Sequence, residues 1–298
     1  MNQTELSNLI HRASLLVKSN WLHAVHLLEE ARQEYPDNLV ILTSLGDIFI
    51  QRMLFEKALD YYQQAHALAP DDPQLLHLIG NCYFSINEYK LSLSYLNQIK
   101  EPPPEVLYNK ALALAFIGSY QESIMVIKQI LKVMTDNPFI YFLLIEQYLR
   151  IQNYDEAQMM IDVAKRKFGK HPQLLLLSAV IYSKKGMWIK AYLCFSELEA
   201  VQPLSSPDHL ISYAVSANRI GMYDKAIALL NKARDINPYI SGIYEELIRL
   251  YLQRGEPDKA KKCLSVAKKY LVSFNPILRL LQERIRNEYS KTTDDYNT

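Results

Sequence analysis

Residues 39–70 read LVILTSLGDIFIQRMLFEKALDYYQQAHALAP, and this stretch decides the fold. In its first half Leu42, Leu45, Gly46 and Phe49 recur at spacings of three and four, which places them on one face of a helix. Its second half repeats the pattern with Phe55, Ala58, Tyr62 and Ala65. Two helices approach closely only where one of them lacks a bulky side chain, so Gly46 marks where the second helix crosses the first. The spacing predicts a helical hairpin.

The same columns recur along the chain. An aromatic stands at Trp21, Phe55, Tyr89, Tyr120, Tyr154, Trp188 and Tyr223, with Pro257 in the same column, at steps of 34, 34, 31, 34, 34, 35 and 34. Three positions later comes a small residue each time: Ala24, Ala58, Ser92, Ser123, Ala157, Ala191, Ala226 and Ala260. A further column reads Ala31, Ala65, Ile99, Ile130, Ala164, Leu198, Ala233 and Ala267. A fixed period of this length is the mark of a repeat array, in which each unit buries its apolar face on its neighbours.

The turn residues agree. Pro73, Pro104, Pro138, Pro172 and Pro207 fall where each first helix begins, a position whose backbone donor has no helical partner. Asp72, Asn137 and Ser206 precede three of them as N-cap residues. Gly118, Gly186, Gly221 and Gly255 fall just before the aromatic column, where the chain turns between two helices.

The run Leu42, Leu45, Gly46, Phe49, Ala58, Tyr62, Ala65, Pro70 resembles the tetratricopeptide signature. The resemblance implies an all-α fold: a right-handed α-solenoid superhelix of about eight helical hairpins plus a C-terminal capping helix. Units are expected to start near 5, 39, 73, 104, 138, 172, 207 and 241, within a single solenoid over residues 1–290. In the first unit Leu6, Leu9, Ile10, Ala13, Leu16 and Val17 carry the apolar face. The third unit is short and ends in Pro102-Pro103-Pro104, which predicts a clipped second helix. Asn275-Pro276 restarts a helix expected over about 275–289, and the polar tail at 291–298 is expected to be disordered.

Composition narrows the function. Lysine plus arginine (33) nearly balances aspartate plus glutamate (32), so the positive excess that a nucleic acid or acidic membrane calls for is absent. Cys82, Cys194 and Cys263 are far apart and odd in number, which argues against a disulfide framework. With no apparent signal or membrane-spanning run, the expectation is a cytoplasmic protein with no direct membrane insertion. Phosphate loops, nucleophile elbows and zinc motifs are missing, so no catalytic residues, no cofactor and no metal are expected. His23, His26 and Glu30 share a helical face, but two histidines one turn apart read more simply as solvated. The basic runs Lys165, Arg166, Lys167, Lys170 and Lys259, Lys261, Lys262, Lys268, Lys269 end second helices and complement their dipoles.

In the proteins this chain resembles, the first helices line a concave surface that holds a protein or peptide ligand. That geometry assigns His77, Asn81 and Phe84 to the groove from the third unit, and Tyr108, Asn109, Leu112 and Phe116 from the fourth. The fifth offers Phe139, Phe142, Leu143, Glu146 and Arg150. The sixth gives Leu176, Leu177 and Val180, and the seventh Asn218 and Arg219. One subset of the family grips a chaperone's C-terminal carboxylate through lysines, an arginine and asparagines. Here Asn81 and Asn109 match the asparagines, whereas His77, Phe139 and Leu143 stand where cations belong, so that clamp is not expected. The expected role is a non-catalytic interaction scaffold or adaptor binding a peptide or helical segment of a partner. The alternatives are a chaperone-like module shielding an apolar segment of a secreted or membrane client, or a regulatory subunit of a larger complex.

Overall fold

The computed structural model describes residues 3–294, with side chains described over 5–286. Seventeen α-helices and no strand occur among the described residues. Eight pairs are followed by one further helix: α1 (Gln3–Ser19) and α2 (Trp21–Glu34), α3 (Leu39–Gln51) and α4 (Phe55–Leu68), α5 (Pro73–Ser85) and α6 (Tyr89–Leu96). Next come α7 (Pro104–Phe116) and α8 (Tyr120–Ile130), α9 (Pro138–Arg150) and α10 (Tyr154–Phe168), α11 (Pro172–Lys184) and α12 (Trp188–Val201). The last are α13 (Pro207–Arg219) and α14 (Tyr223–Ile236), α15 (Ser241–Gln253) and α16 (Pro257–Tyr270), and then α17 (Pro276–Asp294). Each member of the aromatic column is the first residue of a second helix. All eight residues of the small column, from Ala24 to Ala260, are fully buried.

The reason for the small residues is steric. A Cβ built on Gly46 would lie 2.4 Å from a ring carbon of Tyr62, and one on Gly80 would lie 2.6 Å from a methyl of Leu96. Tyr62 fills the space over Gly46 and donates its hydroxyl to Asp47 Oδ1 at 2.7 Å. Desolvation, and then that hydrogen bond, push its phenol far above the usual range, so it stays protonated. At the matching crossing of α7 and α8, Ser123 donates its hydroxyl to the Ala111 carbonyl at 2.8 Å.

Seven of the eight turns between paired helices place a residue in the left-handed region. Gly118, Gly186, Gly221 and Gly255 supply it, with φ between 68 and 83°. Met53, Asn87 and Gln152 hold the same position without a glycine. At the first-helix starts, Asp72 accepts from the Gln74 N–H at 2.8 Å and Asn137 from that of Phe139 at 3.0 Å. Ser206 stands at the N-cap of α13 without a side-chain cap bond, while His171 caps α11 through Nδ1.

The chain forms two compact units, Met1–Ile151 and Gln152–Thr298, so the division falls inside the fifth helix pair. Within the first unit each helix packs on its successor, and first helices also touch across pairs, α1 with α3 and α5 with α7. The second unit does the same, with α11 on α13, α13 on α15 and α15 on α17. Each unit is thus an α-solenoid of two layers whose first helices adjoin, which makes them the inner layer.

In the first unit Ala13 and Val17 bury the face of α1, in keeping with the apolar positions read from the sequence. The α6 helix has only 8 residues, as the triple proline predicts, and a cavity of about 730 Å³ opens where the missing turn would pack, between Leu76, Ile99 and Val106. In the second unit Leu278, Leu281 and Ile285 of α17 close the core, whereas Ile277 and Leu280 are exposed. Asn275 caps α17 by accepting from the Leu278 N–H at 2.9 Å and donates to Glu245 at 2.6 Å. The α17 helix runs to Asp294, beyond the expected 289, and the tail expectation at 295–298 lies outside the described residues.

Candidate functional site

On the inner layer of the first unit, α5 presents His77, Asn81 and Phe84 at successive turns of one face. The neighbouring helix α7 answers with Asn109, whose Nδ2 donates to Asn81 Oδ1 at 2.7 Å and lies 3.1 Å from His77 Nε2. A donor on that ring nitrogen requires its lone pair, so the imidazole proton sits on Nδ1. Burial pulls the His77 pKa below its ordinary value, against a smaller opposing pull from Glu105, and keeps the ring neutral at pH 7.

One turn further along lies an aromatic cluster. Phe116, at the end of α7, stacks on Tyr89 with centroids 4.7 Å apart and planes 8° from parallel. Phe84 meets both edge-on, at 5.3 Å from Tyr89 and 5.6 Å from Phe116. Phe116 is 61% exposed despite this stacking. Tyr89 was read from the sequence only as a packing column; its hydroxyl donates to Asn87 Oδ1 at 2.7 Å, which ties the left-handed turn to the cluster. The aromatic column was the signal for it, but the column alone does not say that this member meets the inner face.

The α9 contribution needs correcting. Phe139 is 60% exposed and meets Phe142 edge-on at 5.8 Å. Phe142 and Leu143, expected on the open face, are only 5% and 7% exposed. The reason is that α9 is apolar on nearly every face, with Ile140 through Ile145 all buried, and such a helix leaves few of its side chains open. Tyr108 and Leu112 are half-buried, and Glu146 lies close enough to the Tyr108 phenol to add to the upward push of burial on its pKa. Arg150 is exposed.

In the second unit Leu177 is likewise buried, at 5% exposure, because α11 carries Leu174, Leu175, Leu176 and Leu177 in succession and turns most of them into the core. Leu176 and Val180 are half-buried, with Leu176 packed against that core. Asn218 and Arg219 share a cavity of about 320 Å³ with Glu246, Arg249, Gln253 and Arg284. The Arg219 guanidinium sits 5.6 Å from the Trp188 ring centroid, a cation–π contact. Arg284 belongs to the capping helix α17, from which the sequence offers no site residue.

Residues 14–73 and 221–284 each match a tetratricopeptide repeat family model, and the structure supplies the paired helices in register between and around them. The chain carries tetratricopeptide repeats. Among its curated relatives are the TPR repeat-containing protein YpiA of Bacillus subtilis, 23% identical over 70% of this chain and 50% of the relative, and the BBSome complex member BBS4 of Bos taurus. The latter is 19% identical over 67% of this chain and 46% of the relative. The chain therefore spans about half the length of the curated relatives it matches. Among solved structures, the APC/C hetero-tetramer Cut9-Hcn1 superposes with a TM-score of 0.61 at 17% identity, covering 96% of this chain and 57% of that one. At that identity the likeness is one of fold.

Tetratricopeptide repeats generally act as protein-interaction scaffolds, because stacked hairpins present an extended inner surface. Asn81 and Asn109 bond to each other, and His77 brings no positive charge. Among the described residues no group of three or more His, Cys, Asp or Glu side chains is placed to hold a metal; His26 Nδ1 lies 3.4 Å from Glu30 on an open face. No described helix is long and apolar enough to cross a membrane.

Proposed function

We propose that this chain is a non-catalytic interaction scaffold that holds an apolar or amphipathic segment of a partner protein on its first-helix face, anchored by Phe84, Tyr89 and Phe116. The observation that carries the reading is Phe116, which remains 61% exposed although two aromatic rings already pack on it. Aromatic side chains at a partly open, preformed cluster supply large contact area at low entropic cost, which is why they dominate binding energy at interfaces. The Asn81–Asn109 pair beside the cluster offers remaining amide donors and acceptors to a peptide backbone. Two similar proteins are named as parts of assemblies, a BBSome complex member and a subunit of an APC/C hetero-tetramer, which supports a role within a larger complex. In this reading the protein works in the cytoplasm.

The test is affinity capture from the native cell with the wild-type chain and with Phe116→Glu, identifying retained proteins by mass spectrometry. The expected result is a defined partner that the wild type retains and Phe116→Glu loses, while Met125→Glu, an equally open apolar residue on the second helix α8, retains it. Equal capture by Phe116→Glu would overturn the reading. Unfolded clients in place of a stoichiometric partner would instead favour the chaperone-like alternative.

A further inference from the structure

In the second unit the outer-layer helix α16 carries a charge pattern that its packing does not require. It holds Lys259, Lys261, Lys262, Lys268 and Lys269 against a single acid, Asp258. The next richest second helices, α10 and α14, have three cations each and balance them with three and two acids. All five lysines of α16 are exposed. The helix dipole favours Lys268 and Lys269 in the last turn, but it disfavours Lys259 in the first turn and falls off before Lys261 and Lys262. Lys259 pairs with Glu256 at 3.0 Å, and Lys261 and Asp258 are engaged within the chain as well. Lys262, Lys268 and Lys269 have no ion-pair partner among the described residues. Lys262 stands one turn from Lys259 and two turns from Lys269, so the face carries a repulsion that a bound anion relieves.

We propose that the outer face of α16 docks an acidic peptide segment of a partner protein, with its carboxylates on Lys262, Lys268 and Lys269. Lys262, Ser265 and Lys269 form one exposed stripe at spacings of three and four, and its two lysines lie about 10.5 Å apart along the helix axis. Acids seven residues apart on a partner helix, or three apart on an extended chain, repeat at about that distance. A lipid surface fits less well, because a helix that lies on a bilayer inserts its apolar face, and α16 has turned Ala260, Cys263, Leu264 and Ala267 into the core. A single-stranded nucleic acid would call for open rings on which bases stack; Tyr270, the one aromatic residue of α16, is met edge-on by Tyr239 at 6.0 Å. The surface rests on the scaffold reading only in taking its occupant to be part of a protein; none of the first unit's aromatics takes part.

The experiment is calorimetric titration of the full chain with N-acetyl-octaglutamate amide, with the octaglutamine counterpart, with phosphatidylserine vesicles and with a duplex DNA. Saturable binding is expected for octaglutamate, absent for octaglutamine, tighter than for vesicles or duplex, and weaker as salt is raised. The double variant Lys262→Glu, Lys269→Glu should weaken it about tenfold or more with an unchanged helical spectrum. Lys90→Glu with Arg166→Glu makes the same change in net charge at exposed residues of α6 and α10 and should leave binding within about twofold of wild type. No saturable binding, equal binding of octaglutamine, equal loss in the two double variants, or tighter binding of vesicles or duplex would each overturn the surface. If partner capture depends on Phe116 while octaglutamate fails to bind, only this surface falls; if octaglutamate binds but Phe116→Glu leaves capture intact, only the aromatic surface falls.

Discussion

Gly46 and Tyr62 occupy one space: a Cβ on the glycine would sit 2.4 Å from the tyrosine ring. The ring is fully buried and tethered by its hydroxyl to Asp47, so it has nowhere to go. Gly46→Ala is therefore expected to destabilise the first unit by about 1–3 kcal/mol, the usual cost of overpacking, despite the roughly 1 kcal/mol that alanine gains in helix propensity. Gly80→Ala meets the flexible end of Leu96 and should cost less. Urea unfolding of both variants ranks them; a larger effect at Gly80 would contradict the rigid-ring explanation.

Burial separates two phenylalanines that look alike in sequence. Phe142→Ala should cost about 3–5 kcal/mol, because a buried ring leaves a cavity. Phe116→Glu should change stability little, because most of that ring already faces solvent. Thermal melts read by circular dichroism check this, and similar losses for both would mean that Phe116 is structural.

Stability should decline on acidification, with His77 and His209 contributing. Burial holds both pKa values below the ordinary 6.5, so the unfolded chain binds more protons than the folded one between the folded pKa and 6.5. Their contribution is complete above 6.5 and is lost as pH falls through the lower folded values. Glu246, with a raised pKa, acts in the opposite sense above 4.5, so the difference between wild type and His77→Gln isolates the His77 share. The difference in unfolding free energy should shrink as the medium is taken from pH 7 to 5; a constant difference would show that His77 keeps its ordinary pKa.

The turns offer a gain and a loss. Gly221 has φ 83° with open space around it, so Gly221→Ala should lose about 1 kcal/mol from backbone strain alone. Met53 holds φ 57° without being a glycine, and Met53→Gly should recover a few tenths of a kcal/mol, the relieved strain exceeding the added chain entropy. Chemical denaturation of the two variants should move in opposite directions.

Much of the fold was legible because its signals are local and repeated. The helix starts at Pro73, Pro104, Pro138, Pro172 and Pro207 follow from proline's missing donor, and the buried column from Ala24 to Ala260 follows from a spacing that any reader can count. The candidate site was legible only in part. His77, Asn81, Phe84, Asn109 and Phe116 lie together on the inner layer, but their mutual bonds depend on how α5 packs on α7, which no single helix encodes.

The chain's order of residues alone determined the helical hairpin, its period and the columns along which helices cross, because these depend on three- and four-residue spacings and on side-chain size. Tertiary structure alone decided which neighbouring residues face solvent: it enclosed Phe142, Leu143 and Leu177, left Phe116 open, and brought Arg284 from the last helix to Asn218 and Glu246. Exposure is a property of what other helices cover, and adjacent positions on an almost wholly apolar helix carry no mark of which side that will be.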